Sequence, residues 1–201
     1  MITTTSDRSN YIGGSEANMI YMNYNTKTFV KWWSKKLSGL PEQEFSNKHM
    51  SVGTILEHDI VDLYERVNGV KGIRDESKVK GIARANTDYI LKGRVSDVKA
   101  TSKAFEWFLS GRVPINYKRQ LIHYMYVFGL DEASIIAYQV DDSLLDNPFK
   151  ELNENKLFEI PVKITENDIL SHKNKIEYLE YCREMNIFPE VIKSDDSKNK
   201  P

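Results

Sequence analysis

Cysteine is nearly absent, with Cys182 the single one in 201 residues. One cysteine closes no internal disulfide and cannot supply an iron–sulfur cluster or a cysteine-rich zinc site. Its neighbours Tyr178, Leu179 and Tyr181 form a helical pattern that makes it a buried structural thiol. The four histidines, His49, His58, His123 and His172, lack the HExxH spacing of a zinc helix. Any metal is then left to carboxylates, whose hard oxygens suit Mg²⁺ or Mn²⁺ better than zinc. No apolar run is long enough to span a bilayer. The opening MITTTSDRSN is polar, without the apolar stretch of a secretory signal, so a cytoplasmic protein is expected. Repeats and low-complexity tracts are missing as well.

The residues that are present describe an ordinary globular chain. Apolar residues make up 40% and charged residues 28%, enough apolar side chains to build a core rather than leave the chain disordered. The length suits one domain, expected over 1–193, with the polar tail 194–201 frayed. The net charge of −1 hides an asymmetry: residues 1–120 carry a net +6 and residues 121–201 a net −7. A chain with one basic face shows such a split, and so does a chance imbalance that folding averages out. A DNA partner stays open.

Periodicity and punctuation set out the elements. Residues 14–23 read as a short helix after Gly13-Gly14, and residues 26–38 as another. Thr26 is the N-cap of the second and Gly39 lies just past its end. In it Phe29, Val30, Trp32 and Trp33 supply apolar surface, while Lys31, Lys35 and Lys36 are expected in solvent. A longer helix covers 48–68, and two or three strands follow between 72 and 100. Residues 101–111 and 116–129 are helical again. ASIIAYQV at 133–140 is a strand, 157–163 a weaker one, and a last helix runs from about 166 to 185 behind Thr165. Helices, a β-meander, then helix, strand and helix give an α/β fold, a small mixed β-sheet flanked by helices.

The chemistry concentrates in ANTDYILKGRVSDVK, residues 85–99. Two strand-like runs flank Lys92-Gly93, and a two-residue turn there pairs 91 with 94, 90 with 95, 89 with 96 and 88 with 97. Asp88 and Asp97 then face one another, and Lys99 shares the face of Asp97 by the period of two. Opposed carboxylates repel, and a divalent cation turns that repulsion into ligation. A surface hairpin with its charges in solvent is the other arrangement these residues allow. Glu57, on the 48–68 helix, has Ile60, Val61 and Tyr64 on its own face and Gly53 one turn before it. A carboxylate on an apolar flank is costly unless paired or metal-bound. It is otherwise a glutamate at the rim of the core.

These residues carry a family resemblance. IGGSEA (12–17), VGTILEHDIVDLYERVNG (52–69), ANTDYILKGRVSDVKATS (85–102) and VPINYKRQLIHYMYVFGLDEA (113–133) occur in the order of the motifs of one family. The sequence resembles the lambda exonuclease/YqaJ-like viral recombinase branch of the PD-(D/E)XK nucleases, from about Arg8 to Pro189. The resemblance implies a restriction-endonuclease-like core and a metal-dependent deoxyribonuclease of the alkaline-exonuclease type. It makes Glu57, Asp88 and Asp97 the ligands of Mg²⁺, with Mn²⁺ as its substitute, joined by the Val98 carbonyl. Lys99 becomes the lysine that positions or activates water, and Gln120 and Tyr117 the helix that closes the site. Arg8 and Ser15 match the pair that reads a DNA 5′-phosphate, although a solvated arginine is an equal reading of Arg8. The usual proline before the first aspartate is replaced by Asn86-Thr87, and the second acid is Asp97 where Glu is commoner.

The resemblance further implies ATP-independent 5′ to 3′ degradation of double-stranded DNA ends, a homotrimer, a single-strand annealing partner and a phage recombination setting in the host cytoplasm. Trp32, Trp33, Trp107 and Phe108 are possible subunit contacts, with core packing the commoner role for each. A non-catalytic DNA-end-binding or recombination adaptor protein on the same fold is the alternative, against which the intact Glu57, Asp88, Asp97 and Lys99 weigh. A sequence-specific endonuclease is a third reading, weakened because no added recognition domain is visible. Iron–sulfur nucleases of the same chemistry need four cysteines and are excluded.

Overall fold

The computed structural model describes residues 10–39 and 48–190, so Arg8 and the expected tail 194–201 lie outside the described residues. The chain runs β1 (Ile12–Gly13), a 3-10 turn (Gly14–Glu16), α1 (Ala17–Ile20), α2 (Lys27–Ser38), α3 (Lys48–Asn68), β2 (Ile73–Lys80), β3 (Ala83–Leu91) and β4 (Arg94–Thr101). It continues through α4 (Ala104–Ser110), α5 (Ile115–Phe128), β5 (Glu132–Gln139), α6 (Asp142–Asp146), β6 (Leu157–Pro161) and α7 (Glu166–Glu184). The expected helix over 14–23 is divided between the 3-10 turn and α1. Three elements were not expected at all: the two-residue β1, the single-turn α6 and a 3-10 turn over Glu154–Lys156.

Alternation along the strands sorts the core into two halves. On β5, Ile135 and Ala137 face one layer, while Ile136 and Tyr138 face the other. On β4, Val95 joins the first and Val98 the second. The first layer holds Phe29, Trp32 and Trp33 of α2, Leu121 and Tyr124 of α5, and Ile176 and Leu179 of α7. The second is filled by α3 through Leu56, Ile60, Val61 and Tyr64. The sheet order is β1-β3-β4-β5-β6 with β2 added beside β3, so helices cover both faces of a mixed sheet. β4 and β5 are parallel neighbours joined through α4 and α5; the other long pairings are antiparallel. Trp32, Trp33, Trp107 and Cys182 are all buried, so packing is their role, whereas Phe108 is half exposed against Phe158.

One expectation is overturned. Lys36 is not solvated: it is 4% exposed, and its ammonium meets Glu16 at 2.8 Å and the Tyr11 carbonyl at 2.9 Å. A buried lysine of this kind persists because a carboxylate and a carbonyl replace its water. The caps hold as expected. The Thr26 hydroxyl accepts from the Phe29 amide, and Thr165 closes a capping box with Asp168 at the start of α7.

A buried imidazole chain ties α1, α5, α7 and β3 together. His123 Nε2 lies 3.1 Å from the Arg84 carbonyl, which can only accept, so Nε2 carries the proton. Neutral His123 then accepts at Nδ1 from His172 Nε2 at 3.1 Å, and His172 Nδ1 accepts from the Tyr21 hydroxyl at 2.8 Å. With both rings neutral every one of these hydrogen bonds is satisfied, and burial is what disfavours the charged forms. Burial pushes His123 down to about 4, and burial together with its neighbour pushes His172 down to about 3. Unfolded, each titrates near 6.5, so the unfolded chain binds more protons between there and the folded values. Stability is full above about 6.5 and is lost as pH falls toward 4. We predict that the urea-unfolding free energy declines across this window. In a His172→Asn variant the decline is shallower by up to one proton equivalent, about 1.4 kcal/mol per pH unit. Parallel profiles would contradict the neutral chain.

Candidate active site

The hairpin forms with three of its four expected pairs, and the fourth, Asp88 with Asp97, is absent from the ladder. Lys92 and Gly93 both take positive φ, 49° and 86°, the geometry of a primed turn whose twist suits the flanking strands. Leu91 pairs with Arg94, Ile90 with Val95 and Tyr89 with Ser96. There the ladder stops, one residue before an Asp88–Asp97 pair. β4 is committed along its whole length to β5, from Arg94↔Glu132 to Thr101↔Gln139. β3 continues with β2 on one edge and takes β1 at Ala83 and Arg84 on the other. The two hairpin strands fork beyond Tyr89 and Ser96.

The fork leaves a backbone donor without a strand partner, and a side chain fills the gap. The Val98 amide donates to Asp88 Oδ2 at 2.7 Å. Asp97 is 1% exposed, and Gln120 Nε2 of α5 donates to its Oδ1 at 2.9 Å. The Lys99 ammonium sits 2.6 Å from Asp97 Oδ2 and 3.2 Å from the Val98 carbonyl. The Tyr117 ring lies 5.3 Å from that ammonium and packs edge-on against Trp107. Tyr117, Gln120 and Tyr124 follow at i, i+3 and i+7 on α5, the one face that looks into the fork. Asp88, Asp97, Val98, Lys99, Gln120 and Tyr117 are thus brought together.

Electrostatics at the fork are strained in a consistent direction. Burial, then the Asp97 charge, pushes the Asp88 carboxyl well above the usual carboxylate range. Burial also raises Glu57, against the opposing pull of Lys99. Burial would lower the Lys99 ammonium, but the Asp97 and Asp88 carboxylates outweigh it and hold it above its ordinary value. Glu57 comes from α3, in the opposite layer. It is half-buried and makes no hydrogen bond or ion pair among the described residues, acting at longer electrostatic range. No three Asp, Glu, His or Cys groups among the described residues stand close enough together to ligate an ion as they are placed. The donors nevertheless fit a hard divalent cation. Asp97 Oδ2 is buried with no directional hydrogen bond, only its ion pair to Lys99, and the Asp88 carboxylate and Val98 carbonyl beside it would offer oxygen ligands.

Ser15 stands apart from this cluster, exposed on the 3-10 turn. Two contacts that were not foreseen anchor that turn. A Cβ on Gly14 would lie 2.3 Å from the Tyr124 ring, so only glycine lets the turn close on α5. The Tyr124 hydroxyl in turn accepts from Gln120 Nε2 at 2.6 Å, the same group that holds Asp97. On the far side, Glu16 accepts from the Gly13 amide, the Trp32 indole and Lys36. The signal for Tyr124 was its place four residues after Gln120, but it sits in a run, Leu121 to Val127, that is buried throughout and masks any single member.

Comparison with known proteins places this geometry. Among solved structures, an alkaline exonuclease (LHK-Exo) from Laribacter hongkongensis superposes with a TM-score of 0.72 at 16% identity, over 90% of this chain and 92% of its own. Its complex with dAMP gives 0.67 at 17%, over 90% and 92%. A phage related exonuclease from Haemophilus somnus gives 0.59 at 14%, over 88% and 94%. The likeness shows the fold, that of the PD-(D/E)XK type. No curated protein sequence matches. A family model, the YqaJ-like viral recombinase domain, matches residues 5–131 and so takes in α3, the hairpin and α5. The chain belongs to the YqaJ-like viral recombinase domain family.

Proposed function

We propose that the protein is a Mg²⁺-dependent exonuclease that hydrolyses phosphodiester bonds of linear double-stranded DNA from the 5′ end, without ATP, in phage-type recombination. The observation that carries the reading is the convergence of Asp88, Asp97 and Lys99 at the strand fork, closed by Gln120 from α5. Family membership and the exonuclease names of the similar structures support it, and the dAMP of one complex is a mononucleotide of the kind such hydrolysis releases. In this reading Asp88, Asp97, the Val98 carbonyl and Glu57 would hold the ion, and Mn²⁺ would substitute for Mg²⁺. A bound divalent ion lowers the pKa of a coordinated water and neutralises charge on the scissile phosphate.

The chain's own groups do the rest. Lys99, kept charged by its two carboxylates, stabilises the attacking hydroxide or the charge that builds on the phosphate. Gln120 fixes the rotamer of Asp97 by holding Oδ1, which leaves Oδ2 directed into the fork. Tyr117 walls the lysine on one side. Ser15, with Arg8, takes the 5′-phosphate. A homotrimer and a single-strand annealing partner belong to the same proposal.

Linear 5′-phosphorylated duplex and covalently closed circular DNA, each incubated with Mg²⁺, test it. We predict mononucleotide release from the linear form only, abolished in Asp97→Ala and slowed about 10- to 100-fold in Gln120→Ala, which loses only a ligand's support. Cutting of the circle would refute the exonuclease, equal activity of Asp97→Ala would refute the site, and tight binding without turnover would favour the adaptor alternative.

The anchoring of the 3-10 turn makes its own prediction. Gly14→Ala should push Tyr124 aside, slow hydrolysis and lower stability by about 1–3 kcal/mol, as overpacking does. Tyr124→Phe should slow hydrolysis while leaving the unfolding midpoint nearly unchanged. Wild-type rates in both variants would show that the turn and the fork are independent.

A further inference from the structure

The twelve residues of α2 include four cations, Lys27, Lys31, Lys35 and Lys36, and no acid. Lys36 is internal, paired with Glu16. The other three stand at i, i+4 and i+8, a single stripe with steps of about 6 Å along the helix. Like charges at that spacing disfavour a helix. Among the described residues neither Lys27 nor Lys31 has an ion pair or hydrogen bond to offset this, and both are exposed. The stripe, with Met19, Thr28 and Trp32, lines a groove of about 420 Å³. Met19 lies four residues beyond Ser15, and Glu16 ties that segment to α2 through Trp32 and Lys36. The groove therefore adjoins the turn that packs on the active-site helix.

We propose that this groove seats the sugar–phosphate backbone of duplex DNA on its way into the active site; the proposal rests on the nuclease reading. Two free ammonium groups on a rigid helix match a line of phosphates in charge. The groove wall offers nothing to read bases. Trp32 is buried with its indole N–H given to Glu16, so it forms no stacking platform, and among the described residues no Asn, Gln or Arg lines the groove. The contact is accordingly independent of sequence, as an enzyme that advances along DNA requires.

The test is the salt dependence of binding. A short 5′-phosphorylated duplex is titrated with the full-length protein by fluorescence anisotropy, with Ca²⁺ in place of Mg²⁺, over a salt series. Lys27→Gln/Lys31→Gln should reduce the slope of log K against log[salt] by about 1.8, from two phosphate contacts at about 0.9 each. The loss of affinity should be the same for unrelated sequences. Lys150→Gln/Lys173→Gln, which removes the same charge elsewhere, should keep the wild-type slope. Hydrolysis of a small p-nitrophenyl nucleotide ester with Mg²⁺ should be unchanged in both variants. An unaltered slope in the α2 variant, or equal changes in both variants, would overturn the groove assignment. Absence of ester hydrolysis in every form, wild type included, would instead count against the nuclease reading, and the slopes would still judge the groove as a DNA seat.

Discussion

Asp88 and Asp97 carry like charge into a part of the molecule that excludes water, and the architecture of the site answers to that. The β3–β4 ladder opens after Tyr89 and Ser96, while β4 pairs with β5 along the whole of its other edge. The opened amide of Val98 is taken by Asp88, which turns a break in the ladder into a fixed carboxylate. Gln120 and Lys99 divide the two oxygens of Asp97 between them. What results is acid held against acid, with Asp88 raised and one lysine as the nearest compensation. A site of this kind has a deficit of positive charge, and a divalent cation is the group that its oxygen donors would accommodate.

The support for that arrangement reaches outward in two directions along packed contacts. Through Gln120 and Tyr124 it meets Gly14, where the absence of a side chain is what allows the approach. Through Glu16 it passes to Trp32 and Lys36 on α2. The basic excess of residues 1–120 is spent in several ways. Lys36 is internal, and Lys78 and Lys80 of β2 bond the carbonyls of Phe128 and Tyr126 at the end of α5. Lys27 and Lys31 are left on the surface, which is why a modest net charge does not argue against a polyanionic partner.

Much of this was legible in the sequence because it is local. The hairpin register follows from two strand-like runs and a two-residue turn, and period two put Asp97 and Lys99 on one face. Helical spacing gave Glu57 its apolar neighbours Ile60, Val61 and Tyr64, all buried as expected. Long-range pairing was illegible. Lys36 looked like any exposed helix lysine, because its partner Glu16 lies twenty residues away and nothing nearby announces it. β1 is two residues paired with β3, too short to show a period. Tyr124 was hidden among apolar neighbours. α6 could have been read from Asp141, which caps it by accepting from Leu144, but five residues carry little pattern.

We propose that carboxylate repulsion at the fork is what a divalent ion would relieve. Urea unfolding of wild type and Asp88→Asn, each with and without millimolar Mg²⁺, measures this directly. Without the ion, the variant should be the more stable, since it removes one of two mutually repelling carboxylates. With the ion, the wild type should gain stability by linkage and the variant should not, so that the order reverses. Equal gains in both proteins, or a variant less stable under both conditions, would contradict the account.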